Sequence, residues 1–419
     1  MFNQLFVRKD TIQRNQNAPL LLERLKYLQY WSENGAHKRT LTQIADYLLV
    51  IVDYLDLTNN DIISMSEIKK AASKWGARSY YRANKNQIII ESAVDRFTCH
   101  ATQWLIMLNR LKHDVKKVDP YVEKKDQYIN YMRQERGFAE TTIRRRYHHL
   151  NDFLNGISEM NSTLRKLNIV TIDNILAKKR DIYKYSRSTI QSYACLIRAF
   201  LFYAEQCGWC SKGLAESIRV PRLYKEENLP YSPTWDDVKK LIANTKGNHP
   251  TDIRDRAILM LLAIYGLRRS EVTKLCLEDI DWKNEIIYLK RAKNSKPQSA
   301  PLSQSVGAAI LCYLKEVRPN QCLFREIFIT RIAPLKPLSN STVSTLVMNR
   351  WKPLNVKIKH HGSHSLRHAC ATHLINEGTS LKEISDHLGH QDINSTRIYA
   401  KVNLKNLRKV CDFSIGDLL

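Results

Sequence analysis

Apolar residues recur at helical spacing through most of the chain. In the first hundred or so residues the series Leu21, Leu22, Leu25, Leu28, Trp31 and Ile44, Leu48, Ile51, Leu55 each keep one face apolar. They predict helices from about Leu20 to Leu111, with a polar break at Thr58–Asp61. A second helical region starts after Asp119-Pro120: Tyr121, Tyr128, Ile129 and Met132 mark a helix ending at Gly137. Thr141-Thr142 then opens a helix through Ile143, Tyr147, Leu150, Phe153 and Leu154. A further helix, Ser188 to Cys207, carries Ile190, Tyr193, Leu196, Ile197, Phe200 and Leu201 on its inner side. Val220–Pro233 loses the periodicity, is rich in Pro and charge, and reads as a linker. Beyond it Thr234 is an N-cap followed by first-turn acids Asp236 and Asp237, and a helix from Ile253 to Tyr265 stops at Gly266.

The one strand signal follows. Leu277–Ile280, Ile286–Lys290 and Ser299–Leu302 are short β-rich runs separated by a turn at Asp281–Asn284 and a basic loop, Arg291–Lys296. They predict a small antiparallel sheet within a mainly α, α+β chain. The segments divide the sequence into an N-terminal helical extension (1–118), a helical module (119–222), a linker (223–233) and a C-terminal domain with a tail (234–419).

Composition narrows the partners. The chain has 419 residues, 43% hydrophobic and 26% charged, which fits folded domains rather than disorder. Its richest apolar run, Tyr47–Leu55, is interrupted by Asp53 and falls short of the about eighteen apolar residues of a membrane span. Met1–Lys9 lacks a signal-peptide core, so a cytoplasmic, nucleoid-associated protein is expected, with no membrane partner. Nine scattered cysteines read as reduced thiols; Cys207-Gly-Trp-Cys210 has no second pair with which to hold zinc. The net charge of +25 changes the picture most, because 66 Lys and Arg against 41 Asp and Glu attract a polyanion. The basic residues are spread among Tyr and Trp rather than gathered in a tail, which favours a DNA-contacting surface.

Candidate chemistry lies in the last third. Gly266-Leu-Arg-Arg-Ser-Glu271 sets a helix stop before an arginine at the next helix start, where amides and a guanidinium can face a phosphate; the alternative is a corner in which the arginine pairs with Glu271. His364-Ser-Leu-Arg367 puts two cationic side chains on one helix face. His364 and His368 are spaced for a metal, but no third ligand is evident and no metal is expected. Leu388-Gly-His390 closes a helix begun near Leu381, and nine residues later stands Tyr399.

In this order, with a basic turn around Lys293, the pieces resemble the tyrosine recombinase family of phage-type integrases and chromosome-dimer resolving recombinases. The resemblance spans about Thr234 to Lys401 and, less specifically, the helical module before it. It implies a core-binding helical domain at 119–222 and a catalytic domain at 234–419, closing on DNA like a clamp. It further implies that Tyr399 is the nucleophile, that Arg268, Arg367 and His390 hold the nonbridging phosphate oxygens, that Lys293 protonates the leaving 5′-oxygen and that His364 manages protons around Tyr399. No cofactor is implied. The implied partners are double-stranded DNA, further copies of the chain in a homotetramer on two duplexes, and other recombinase subunits; a mobile element is the expected setting. A type IB topoisomerase and a non-catalytic DNA-binding protein are the alternatives, and the complete residue set and the separate helical module favour a recombinase over both.

Two substitutions in the pattern leave rivals. Ala292-Lys-Asn-Ser-Lys-Pro297 offers Lys296 beside Lys293, and Arg269 adjoins Arg268. Register to Pro301-Leu302 favours Lys293, and the Gly-Leu-Arg-x-Ser-Glu frame favours Arg268. Residues 1–118 serve accessory DNA or partner recombinases, or simply extend the packing. The tail carries an apolar stripe, Val402, Leu404, Leu407, Val410 and Cys411, with Phe413, Ile415, Leu418 and Leu419 beyond it. It docks on its own domain or, as relatives do, on a neighbouring protomer.

The two lysines are separable by leaving-group chemistry, since a thiolate departs without a proton. Lys293→Ala is expected to be slow on ordinary DNA and restored by a 5′-bridging phosphorothioate at the cleavage site. Restoration of Lys296→Ala instead transfers the role.

Overall fold

The computed structural model describes residues 1–57, 62–83, 87–112, 119–222, 232–291, 298–319, 322–356 and 361–389, with Thr396; for 78–83 and 87–90 it describes the backbone. The chain divides into two compact units, Asp114–Glu227 and, from either side of it in sequence, Met1–His113 with Asn228–Leu419.

The first of these is all helix: α7 (Val122–Asn130), α8 (Glu140–Glu159), α9 (Ile169–Asp181), α10 (Arg187–Gln206) and the short α11 (Leu214–Ser217), numbered after six helices of the other unit. Leu150, Phe153, Leu154 and Ile157 of α8 meet Tyr193, Ile197, Phe200 and Leu201 of α10 in one core. Ser186 and Asn168 cap α10 and α9 by accepting from the amides of Thr189 and Thr171. The long helix expected up to Gly137 passes after Asn130 into a wider π turn, Tyr131–Glu135, before Gly137 takes a positive φ of 61°. Arg144, Arg145, Tyr147 and His148 of α8 stay exposed. Cys207 is exposed and Cys210 is buried, its thiol pushed up to about 11 by burial, so Cys210 is an inert thiol at neutral pH.

In the other unit, the N-terminal helices are α1 (Phe2–Leu5), α2 (Lys9–Asn17), α3 (Leu21–Glu33), α4 (Lys38–Tyr54), α5 (Met65–Ala83) and α6 (Gln87–Met107), with β1 (Ile63–Ser64) parallel to β2 (Leu111–Lys112). Leu28, Ile44, Leu48, Phe97 and Trp104 fill their core, and Ala333 from the C-terminal part joins it. The seam is tight: the Leu335 amide donates to the Asn34 carbonyl at 3.2 Å. A Cβ on Gly35, which has φ +83°, would stand 2.8 Å from the Leu335 side chain.

The C-terminal part contains α12 (Trp235–Ala243), α13 (Pro250–Ile264), α14 (Arg269–Thr273), β3 (Ile280–Asp281), β4 (Ile286–Leu289), β5 (Gln298–Pro301), α15 (Gln304–Glu316), α16 (Asn340–Trp351), α17 (Ser363–Asn376) and α18 (Leu381–Leu388). Thr234 and Asp237 form the capping box of α12. Helix α13 is apolar almost all round, with Ala257 to Ala263 buried without a break, because α12, α15, α16 and α17 surround it. The sheet is antiparallel in the order β3-β4-β5. The first expected strand is mostly a 3₁₀ turn, Leu277–Asp279, because the Asp279 carboxylate accepts from the Cys276 amide and curls the backbone before Ile280. The Tyr265 hydroxyl donates to the Pro301 carbonyl and accepts from the Ser303 amide, both at 2.8 Å, tying the end of α13 to the end of β5. No described helix is long and apolar enough to cross a membrane.

Candidate active site

Helix α13 ends at Gly266, whose φ of +55° reverses the chain. Two residues later Arg268 stands at the N-cap of α14. Its backbone amide donates to Glu271 Oε2 at 2.9 Å and its Nη1 to Glu271 Oε1 at 2.8 Å. Arg291, at the end of β4, donates from Nη1 to Glu271 Oε2 at 3.0 Å, with the two side chains 1% and 3% exposed. One carboxylate thus serves two arginines. Burial by itself raises the Glu271 carboxyl, but the hydrogen bonds from Arg268 and the charge of Arg291 outweigh it and hold the group below the ordinary carboxylate value.

Helix α17 brings Arg367 to the same corner. Its side chain is buried, and it donates from Nη1 to the Gly266 carbonyl at 2.6 Å and from Nη2 to the Leu388 carbonyl at 2.7 Å. The carbonyls of the last turn of α18 are therefore shared out. Gln298 Nε2 donates to Asp386 O at 2.9 Å, Arg291 Nη2 to His387 O and Arg367 Nη2 to Leu388 O. Two glycines permit this packing, one against Arg291 and one against Leu388. A Cβ on Gly389, φ +65°, would lie 2.7 Å from Arg291 Nε, and one on Gly266 would lie 2.4 Å from the Leu388 side chain.

Beside this corner opens a cavity of about 360 Å³ lined by Arg268, Arg269, Ser344 and His364 among others. Arg269 Nη1 donates to Ser344 Oγ of α16 at 2.8 Å. His364 sits at the first turn of α17, exposed to solvent on one side and packed edge-on against His368 at 4.4 Å. Burial, then the positive charges of Arg367, Arg268 and Arg269, lower its pKa, so the ring is neutral at pH 7 and able to accept a proton. His387, whose Nε2 lies 3.0 Å from the Ile264 carbonyl, is also lowered, chiefly by burial. Behind it the Cys370 thiol is pushed up to about 12 by burial. The arrangement suits an anion: fixed cations and a neutral imidazole around the opening, with a buried carboxylate to align them.

Residues 234–406 match the model of the phage integrase family. A tyrosine recombinase of Pyrococcus horikoshii, XerA, is 31% identical over 289 residues, covering 68% of this chain and 92% of that protein. The chain belongs to the tyrosine recombinases. Members of this family cleave and rejoin DNA strands, and the chain is such an enzyme. Two solved structures share its fold. A XerH recombinase bound to palindromic difH substrate in a post-cleavage complex has a TM-score of 0.52 at 16% identity, over 83% of this chain and 96% of that one. The Tn1549 transposon integrase with a circular intermediate DNA has a TM-score of 0.52 at 17% identity, over 68% and 98%.

Of the residues singled out by the sequence, the structure gathers Arg268, His364 and Arg367 at one corner, and Arg268 is indeed paired with Glu271. Arg269 lines the same cavity. Lys293, Lys296, His390 and Tyr399 lie outside the described residues, as does the tail. Among the described residues no three His, Cys, Asp or Glu side chains form a metal cluster. Sequence reasoning missed Arg291, Gln298 and His387. Arg291 reads there as one more cation of a basic loop, and only its buried neighbours distinguish it.

Gly266→Ala must strain a left-handed residue and crowd Leu388, so it is expected to lower the unfolding free energy by about 2–4 kcal/mol in denaturant titration. Gly378, φ +87° with no atom within 4 Å of an added Cβ, is the comparison. Gly378→Ala should lose only about 1–2 kcal/mol, and equal losses at the two sites would refute the close packing at Gly266.

Proposed function

We propose that the cavity beside Arg268 and His364 receives the scissile phosphate of a DNA strand and that Tyr399 attacks it. The phenolic oxygen bonds to phosphorus, the bond to the 5′-oxygen breaks, and the strand is left as a 3′-phosphotyrosine with a free 5′-hydroxyl. Arg268, Arg367 and His390 stabilise the charge on the nonbridging oxygens, and Lys293 gives the departing 5′-oxygen its proton. The neutral His364 takes the proton from Tyr399. Because the phosphoester bond is retained on the protein, a second 5′-hydroxyl can reverse the step and join the strand to a new partner without metal or nucleotide.

The observation that carries this reading is the convergence of Arg268, Arg269 and His364 on one opening, with Arg367 fixed behind it. The charge of +25 supports duplex DNA as the substrate, with phosphate contacts supplying most of the affinity. The likeness to an integrase of a transposon, seen with a circular DNA, supports a mobile element as the setting. Recombination between two duplexes requires four active sites, so the assembly is a ring of four protomers joined head to tail by their C-terminal segments.

Tyr399→Phe removes one hydroxyl. It is expected to abolish covalent protein–DNA adducts on a nicked suicide substrate while leaving DNA binding intact; adducts formed by the Phe variant would assign another nucleophile. Deletion after Val402 should leave binding to a single site unchanged but prevent synapsis and strand exchange. Light scattering that still finds a complex of four protomers and two duplexes after the deletion would rule out exchange of the tail.

A further inference from the structure

Arg291 has no part in the chemistry just described, yet its guanidinium touches three elements of the site. It donates to Glu271 Oε2, which with its other oxygen holds Arg268. It donates from Nε to Gln298 Oε1 at 2.9 Å across the sheet loop, two residues upstream of Lys293 in sequence. It also donates to the His387 carbonyl, three residues before His390. The side chain is 1% exposed and Gly389 closes over it with no room for a methyl group.

We propose that Arg291 is a positioning residue for strand cleavage, fixing the Glu271 carboxylate so that Arg268 presents its remaining donors to the scissile phosphate and holding the backbone that leads to His390. The physical reason is competition. Glu271 shared between two guanidinium groups binds each of them less tightly than it would bind one. Without Arg291 the carboxylate pairs more strongly with Arg268 and draws it away from the opening. Lysine cannot replace the fork, because three acceptors in three directions match the planar guanidinium and not a single ammonium. The inference rests on the reading of Arg268 as a phosphate contact.

The test compares two scissile linkages in full-length protein: the ordinary phosphodiester, and a methylphosphonate that lacks one charged nonbridging oxygen and so needs less cationic stabilisation. Single-turnover adduct formation is measured for Arg291→Met, Arg291→Lys and Arg268→Ala, with DNA binding and thermal unfolding followed in parallel. Arg291→Met is expected to cleave the phosphodiester at least about tenfold more slowly at unchanged DNA affinity, and the methylphosphonate within about threefold of the unaltered protein. Arg291→Lys, which keeps a buried charge should the Met variant not fold, is expected to show the same dependence on linkage to a smaller degree. A defect that merely reflects lost packing slows both linkages alike. If Arg268→Ala is rescued by the methylphosphonate and neither Arg291 variant is, the positioning role is wrong. If Arg268→Ala is equally slow on both linkages, the reading of Arg268 as a phosphate contact fails, and the inference with it.

Discussion

Glu271 is a carboxylate almost wholly removed from water, and the geometry of the site depends on how its charge is divided. Arg291, itself 1% exposed, donates to this carboxylate and to two further acceptors, without which a buried cation is costly. Arg291 is therefore as much a part of the fold as any apolar core residue. Arg268 is held by the same acid but is about a third exposed, so one end of it is anchored while the other faces the opening. Rigidity on the buried side and freedom on the open side come from the two oxygens of one carboxylate.

The same corner concentrates positive charge. Arg268 and Arg291 share the Glu271 carboxylate, Arg367 is fixed on two backbone carbonyls, and Arg268 and Arg269 line the opening. Burial, and then the positive charge of Arg367, Arg268 and Arg269, holds the imidazole of His364 in its neutral form. An anion entering the opening relieves the repulsion among the guanidinium groups. Through the same charges, an anion in the opening would raise the basicity of the His364 ring.

Much of this was legible in the sequence where the cause is local. Thr234 with Asp237, the reversal at Gly266 and the pairing of Arg268 with Glu271 all lie within three or four residues of one another. The motifs around Arg268, His364 and Arg367 were legible too, and the three side chains lie at one corner. The π turn at Tyr131–Glu135 was hidden because its apolar pattern differs little from an α-helix over one turn. The partners of Arg291 and Gln298 on α18 stand 96 and 88 residues away, and a side chain that ends on a backbone carbonyl leaves no complementary residue type to look for. The seam at Asn34 and Leu335 was silent for the same reason, since it joins a carbonyl to an amide.

That preference for backbone acceptors bears on how the protein tolerates sequence drift. The last turn of α18 is gripped through the oxygens of Asp386, His387 and Leu388, which every amino acid except for its side chain supplies identically. Exposed positions such as Lys382, Glu383 and Asp386 can change identity without loosening the grip. The donors have no such latitude. Mutational freedom is thus divided unevenly across the contact: the helix can diversify its outer surface while the arginines behind it keep its last turn in place.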